Sequence, residues 1–183
     1  MNYLNYLNNM NNVNNTNNWY QITWLVFHVI TFHTVLNKPT YYYDFFYSFT
    51  KLIPCSKCRN HYTKNIENPN ESMNHNLINL NIFNWMVDIH NDVNDELKKK
   101  KWSYKEAYEL YENKELTKQD IIHFLDFYIT YNKKNSNNLV KMIIAMIHIL
   151  PESVLFNNYK DFLDKNPLHE NNISEWFISF KKN

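Results

Sequence analysis

Across 183 residues this chain contains no glycine, and that absence limits what it can fold into more than any residue it does contain. Phosphate-cradling loops built on G-x-G-x-x-G or on a Walker A segment need glycines where the backbone approaches the ligand or turns through positive φ. Neither loop can exist here, so any nucleotide cofactor must be held by side chains on some other frame. Tight turns fall to Asn, Asp and Pro, and Asn is the expected substitute for glycine at helix C-termini.

The pattern along the chain is helical throughout. Residues 1–18 are rich in Asn with scattered Tyr, Leu and Met, and such a segment reads as a disordered tail because it buries little. Trp24, Phe27, His28, Thr31 and Val35 recur at helical spacing and predict a first helix over Trp19–Leu36. A second, aromatic helix is expected at Tyr41–Ile53, and a third from the cysteines after Pro54 to about Ile66. Pro69 to His75 reads as a polar loop, and a fourth helix follows at about Asn79–Leu97, closed by Lys98–Lys101. Ser103 with Glu106 three positions on predicts a capped short helix ending near Asn113. Beyond Leu116 come amphipathic helices at Lys118–Tyr131, Leu139–Leu150, Ser153–Lys165 and Ser174–Lys181. No strand alternation is evident. The expected class is all-α: a helical domain over 19–113 and a helical extension over 114–183. The apolar faces of that extension (Phe124, Phe127, Ile143, Ile147, Trp176, Phe180) read as ordinary core.

Nineteen basic against eighteen acidic residues leave a formal charge of +1, which gives no general attraction to nucleic acid or to an acidic membrane. No secretory signal and no uncharged apolar run of membrane-spanning length is visible, so an intracellular, soluble protein is expected. Two cysteines cannot form a secreted disulfide framework.

Those two, Cys55 and Cys58, are three positions apart behind Pro54. A C-x-x-C pair can be a redox couple, half of a zinc site, or two buried structural thiols. At the first turn of a helix one thiol meets backbone N–H groups and the positive dipole end, which favours the reactive thiolate. Zinc needs two more ligands from His28, His33, His61 and His90, and these do not form a close-spaced knuckle. A thioredoxin frame needs a preceding strand, which is missing. On the fourth helix Met86, His90, Val93, Asn94 and Leu97 share an arc, with Asn91 on its shoulder. This mixture of imidazole, amides and apolar groups suits a planar heteroaromatic ligand. Trp24 and His28, one turn apart, offer a second wall. Taken in isolation, each histidine reads better as a satisfied core residue.

Trp24-x-x-x-His28, Pro54-Cys55-x-x-Cys58, and Trp85 followed by His90-Asn91-x-Val93-Asn94-x-x-Leu97-x-Lys99 together resemble the Erv/ALR flavin-linked sulfhydryl oxidases, over Trp19 to Asn113. The resemblance implies a four-helix core with a short fifth helix, usually a homodimer, holding FAD non-covalently. It implies that Cys58 is the sulfur against the flavin and Cys55 the one that exchanges with a dithiol substrate, a thioredoxin-like protein for example, with O2 as final electron acceptor. It places Trp24, His28, His90, Asn91, Val93, Asn94 and Leu97 around the cofactor, with Lys99 and Trp102 near its phosphate and adenine parts. No metal, nucleic acid or membrane span is implied. Three departures stand out. The positions of a second, structural disulfide read as Val87 and Tyr104, an arginine before the first block reads as Gln21, and neither tail carries shuttle cysteines. These bring the chain closest in character to the large-DNA-virus members, with a host-cytoplasm or virion location ahead of the mitochondrial intermembrane space. The competing expectation is a non-enzymatic helical binding module whose C-x-x-C is structural or zinc-bound.

Overall fold

A computed structural model describes residues 19–34, 38–67, 76 and 81–182. The Asn-rich tail and the loop expected at Pro69–His75 lie outside the described residues. Within them the regular elements are helices: α1 Trp19–Phe32, α2 Pro39–Leu52, α3 Ser56–Ile66, α4 Ile82–Glu96, α5 Tyr104–Tyr111, α6 Lys118–Tyr131, α7 Ser136–Ile149, α8 Val154–Lys165 and α9 Ile173–Phe180. The all-α expectation holds.

Helix α2 organises the packing. Pro39 starts it where a missing N–H costs nothing. Tyr42, Phe45, Phe46, Phe49 and Leu52 then follow the three-and-four spacing of a single helical face, and all are fully buried. Phe27 of α1 meets this face edge-on, with ring centroids 5.7, 5.2 and 4.7 Å from Phe45, Phe46 and Phe49. Tyr62 of α3 closes the group by donating its hydroxyl to the Phe46 carbonyl at 2.9 Å.

The C-terminal helices complete this core. Among the described residues the most extensive helix pairing is α2 with α7, and α1 packs on α6. Phe49 lies 5.0 Å from Tyr128 and 6.0 Å from Phe124 between ring centroids. The Tyr128 and Thr23 hydroxyls share a buried hydrogen bond of 2.8 Å. Asn132 donates its amide to the Leu52 carbonyl at 3.0 Å, which caps the end of α2 from the far side of the chain. Buried residues from Leu25 to Phe180 form one cluster. Phe124, Ile143, Ile147, Trp176 and Phe180 are core residues, with Phe127 partly buried against them.

Local chemistry sets the helix ends. Ser103 and Glu106 form the expected capping box at the start of α5. Thr117 and Asp120 form a second at α6 that the sequence reading left out. Asn was expected to replace glycine at helix C-termini, and Asn132 and Asn166 are the C-caps of α6 and α8; the one left-handed residue among those described is Lys98, at φ 52°. It follows the C-cap Leu97 in a full Schellman turn, with Lys99 N–H donating to the Asn94 carbonyl at 2.7 Å and Lys98 N–H to the Asp95 carbonyl at 3.0 Å. A side chain at this φ costs about 1 kcal/mol relative to glycine. The cost is offset where the turn is fixed from outside: Lys101 pairs with Asp95 at 3.2 Å, and Lys100 pairs with Glu106.

The two positions read as a missing disulfide are bridged in another way. Val87 is fully buried. Tyr104, exposed at the start of α5, donates its hydroxyl to the carboxylate of Asp88, the neighbour of Val87, at 2.8 and 2.9 Å. A charge-assisted hydrogen bond therefore ties α4 to α5.

Candidate active site

Cys55 and Cys58 form a disulfide with Cα atoms 5.2 Å apart. Cys55 is the N-cap of α3, and its sulfur accepts the Cys58 backbone N–H at 3.2 Å. When the pair is reduced, the helix N-terminus thus favours thiolate at Cys55. Arg59 turns away, donating to the Ile53 carbonyl at 2.6 Å and fixing the loop that leads into the pair. Cys58 is the more exposed of the two, with Cys55 half-buried. Exposure alone does not divide their roles.

Helix α3 packs against α4, which carries the second part of the site. The His90 ring of α4 lies flat on Trp24 of α1, with centroids 4.0 Å apart and planes within 3°. Its Nδ1 is 2.8 Å from Nε2 of His28. His28 is fully buried and stacks on Tyr111 of α5 at 4.6 Å, while Trp102 closes on His90 at 4.9 Å. Four expected residues, Trp24, His28, His90 and Trp102, are therefore in one cluster. Tyr111 belongs to it as well and was missed, although its place one turn after Ala107 on a capped helix marked it as inward-facing.

Both imidazoles are neutral near pH 7. Burial pushes His28 well below the usual histidine range, and His90 beside it adds to the effect. Burial, with a smaller contribution from the Lys99 ammonium, lowers His90 to about 4. Nδ1 of His28 is buried without a hydrogen-bond partner. A lone pair is less costly to leave unpartnered there than an N–H, so His28 carries its proton on Nε2 and donates to His90. His90 then keeps its own N–H on Nε2 as a donor.

The remaining expected residues hold this arrangement or lie at its edge. Asn91 grips Trp102 through both halves of its amide. Nδ2 donates to the Trp102 carbonyl, and Oδ1 accepts the Trp102 N–H, each at 2.8 Å. Asn94 is buried and supports the Schellman turn through its carbonyl. Val93 is half-buried on the last turn of α4, Leu97 is exposed at its cap, and Lys99 is exposed just beyond. Met86, grouped with them by helical arc, belongs to the main core instead.

This donor set fits FAD chemically. It joins stacked aromatic rings, a neutral imidazole N–H, an exposed leucine and a cation, carried on α1, α4 and the segment that follows α4. Gln21, one turn before Trp24, contributes a buried Oε1 with no hydrogen-bond partner, an acceptor suited to a ligand N–H or O–H. Among the described residues no three His, Cys, Asp or Glu side chains converge as a metal-binding set.

Fold and site define an all-helical protein with a C-x-x-C disulfide at the N-terminus of one helix and an aromatic–imidazole cluster that includes His90 of the helix packed against it. The model of the Erv1 / Alr family matches residues 21–114, just over half of the 183 residues, and the chain belongs to that family. Its members are generally FAD-binding sulfhydryl oxidases. Neither the curated proteins nor the solved structures contain a significant match. Among the described residues no helix is long and apolar enough to cross a membrane.

Proposed function

We propose that this protein is an FAD-dependent sulfhydryl oxidase that makes disulfides in substrate dithiols, converting two R–SH and O2 to R–S–S–R and H2O2. The observation that carries the reading is the Cys55–Cys58 disulfide at the N-terminus of α3, in a chain of this family. A substrate thiolate attacks Cys55, the Cys55–Cys58 bond breaks, and the electron pair leaves on Cys58. Attack by the second substrate thiolate releases the product disulfide and leaves both cysteines reduced. The reduced cysteines would then be reoxidised by way of bound FAD, which would supply two-electron acceptor chemistry with O2 as the final acceptor.

Trp24, His90 and Trp102 supply the stacking surfaces for the cofactor, with Val93 and Leu97 as apolar edge. His28 acts behind His90, Asn91 and Asn94 set the shape of the segment from Leu97 to Trp102, and Lys99 supplies positive charge. Family membership is what supports a homodimer and a thioredoxin-like dithiol as substrate. Purified full-length protein given dithiothreitol should consume oxygen and yield one H2O2 per O2. Absence of oxygen uptake in a folded preparation would refute the reading.

A further inference from the structure

The two sulfurs differ in their electrostatic support. Cys55 has the N-terminus of α3, as described above. Cys58 is the third residue of α3, in the same first turn, and no side-chain hydrogen bond reaches its sulfur among the described residues; three residues on stands His61, whose Nε2 is 2.5 Å from Oε1 of Glu96 at the end of α4. Residues three apart on a helix are neighbours, with Cβ atoms about 5–6 Å apart. Helical side chains also lean toward the N-terminus, the direction in which Cys58 precedes His61 on α3. With Nε2 directed to Glu96, Nδ1 is the ring nitrogen left for another partner. Glu96 is itself unusual, because a carboxylate at a helix C-terminus opposes the macrodipole. Its ion pair with His61 accounts for that placement.

We infer that His61, oriented by Glu96, is a further active group of the disulfide site that holds Cys58 as a thiolate ion pair once the disulfide opens. The inference deepens the oxidase reading and rests on it for its biological meaning. In the exchange step the substrate sulfur bonds to Cys55 and the Cys55–Cys58 bond breaks with its electron pair going to Cys58. The His61 side chain, fixed by Glu96, then offsets the new negative charge on Cys58. An acid–imidazole–sulfur sequence of this kind is the usual way to lower the cost of a thiolate.

Other charges on the helices packed here are accounted for. On α3, Lys57 and Lys64 are exposed and Arg59 is bound to the Ile53 carbonyl. On α4, Asp92 is exposed and Asp95 pairs with Lys101. On α2, Asp44 and Lys51 are the charged groups, and Tyr47 donates its hydroxyl to Glu67.

The composition of the chain makes a clean test possible. In full-length Cys55→Ser protein, Cys58 is the sole thiol. Its ionisation can be followed as thiolate ultraviolet absorbance against pH, by difference from the Cys55→Ser/Cys58→Ser protein. Adding His61→Gln should move the midpoint upward, leaving about tenfold less thiolate at neutral pH. Glu96→Gln, which keeps the shape of the pair without its charge, should move it the same way by less. A midpoint unchanged by His61→Gln, or by Glu96→Gln should the first variant unfold, overturns the inference. Because the titration involves no turnover, an unshifted midpoint leaves the oxidase reading standing. Failure of oxygen uptake, in turn, leaves the titration interpretable.

Discussion

Cys58→Ser is expected to lower thiol-driven oxygen uptake by at least about a thousandfold while leaving the fold intact. A serine oxygen cannot form the disulfide, so the substrate meets a lone Cys55 thiol with no bond to break. The structural cost is small, because the disulfide closes a loop of only a few residues and contributes on the order of 2 kcal/mol. Neither cysteine belongs to the buried core. Oxygen uptake and thermal unfolding measured on one preparation separate these effects. Substantial residual turnover in a folded variant would show that electrons enter by a route other than Cys58, which is hard to reconcile with a chain containing no third cysteine.

Ending the chain at Asn113 should abolish folding altogether. The truncation removes α6 to α9 and leaves Phe45, Phe49 and Leu52 of α2, all fully buried in the whole chain, without the α6 and α7 side chains that cover them. Each buried side chain of this size is worth roughly 1.5–3 kcal/mol. Losing three of them, with the Thr23–Tyr128 and Asn132–Leu52 hydrogen bonds, consumes most or all of a typical net stability of about 5–15 kcal/mol. The truncated protein should lack a cooperative unfolding transition in circular dichroism. A fragment that unfolds cooperatively and oxidises thiols at the full-length rate would mean that the C-terminal helices are an accessory rather than part of the core.

The same packing shows what a linear sequence does and does not reveal. Helix α6 was readable to its last residue, since Lys118–Tyr131 carries a clear apolar period. The start of α7 was placed three residues late, because Ser136, Asn137 and Asn138 are polar and weak helix formers; tertiary packing of the apolar residues that follow extends the helix back over them. The left-handed residue at the end of α4 gave no signal at all, because a run of lysines resembles a solvated helix end. Trp24, His28 and His90 were legible as two walls on two helices. Their direct contact was not, since a hydrogen bond across 62 residues depends on how α1 and α4 cross. Asn91 looked like a ligand-facing amide. Its grip on Trp102 needs a loop that returns after eleven residues to the same turn, and spacing alone cannot give that path. His61 stood out only as one of four histidines weighed for zinc, and Glu96 not at all; their pairing emerges only when α3 and α4 are set side by side.

The central claim is that the Cys55–Cys58 pair delivers electrons to a flavin held on this glycine-free helical frame. Its most direct test is the visible spectrum of the purified full-length protein, recorded before and after dithiothreitol is added without oxygen. The expected result is a yellow protein whose flavin band bleaches on reduction and returns when air is admitted. A folded protein with no flavin band, or one whose band is unaffected by dithiothreitol, would contradict it.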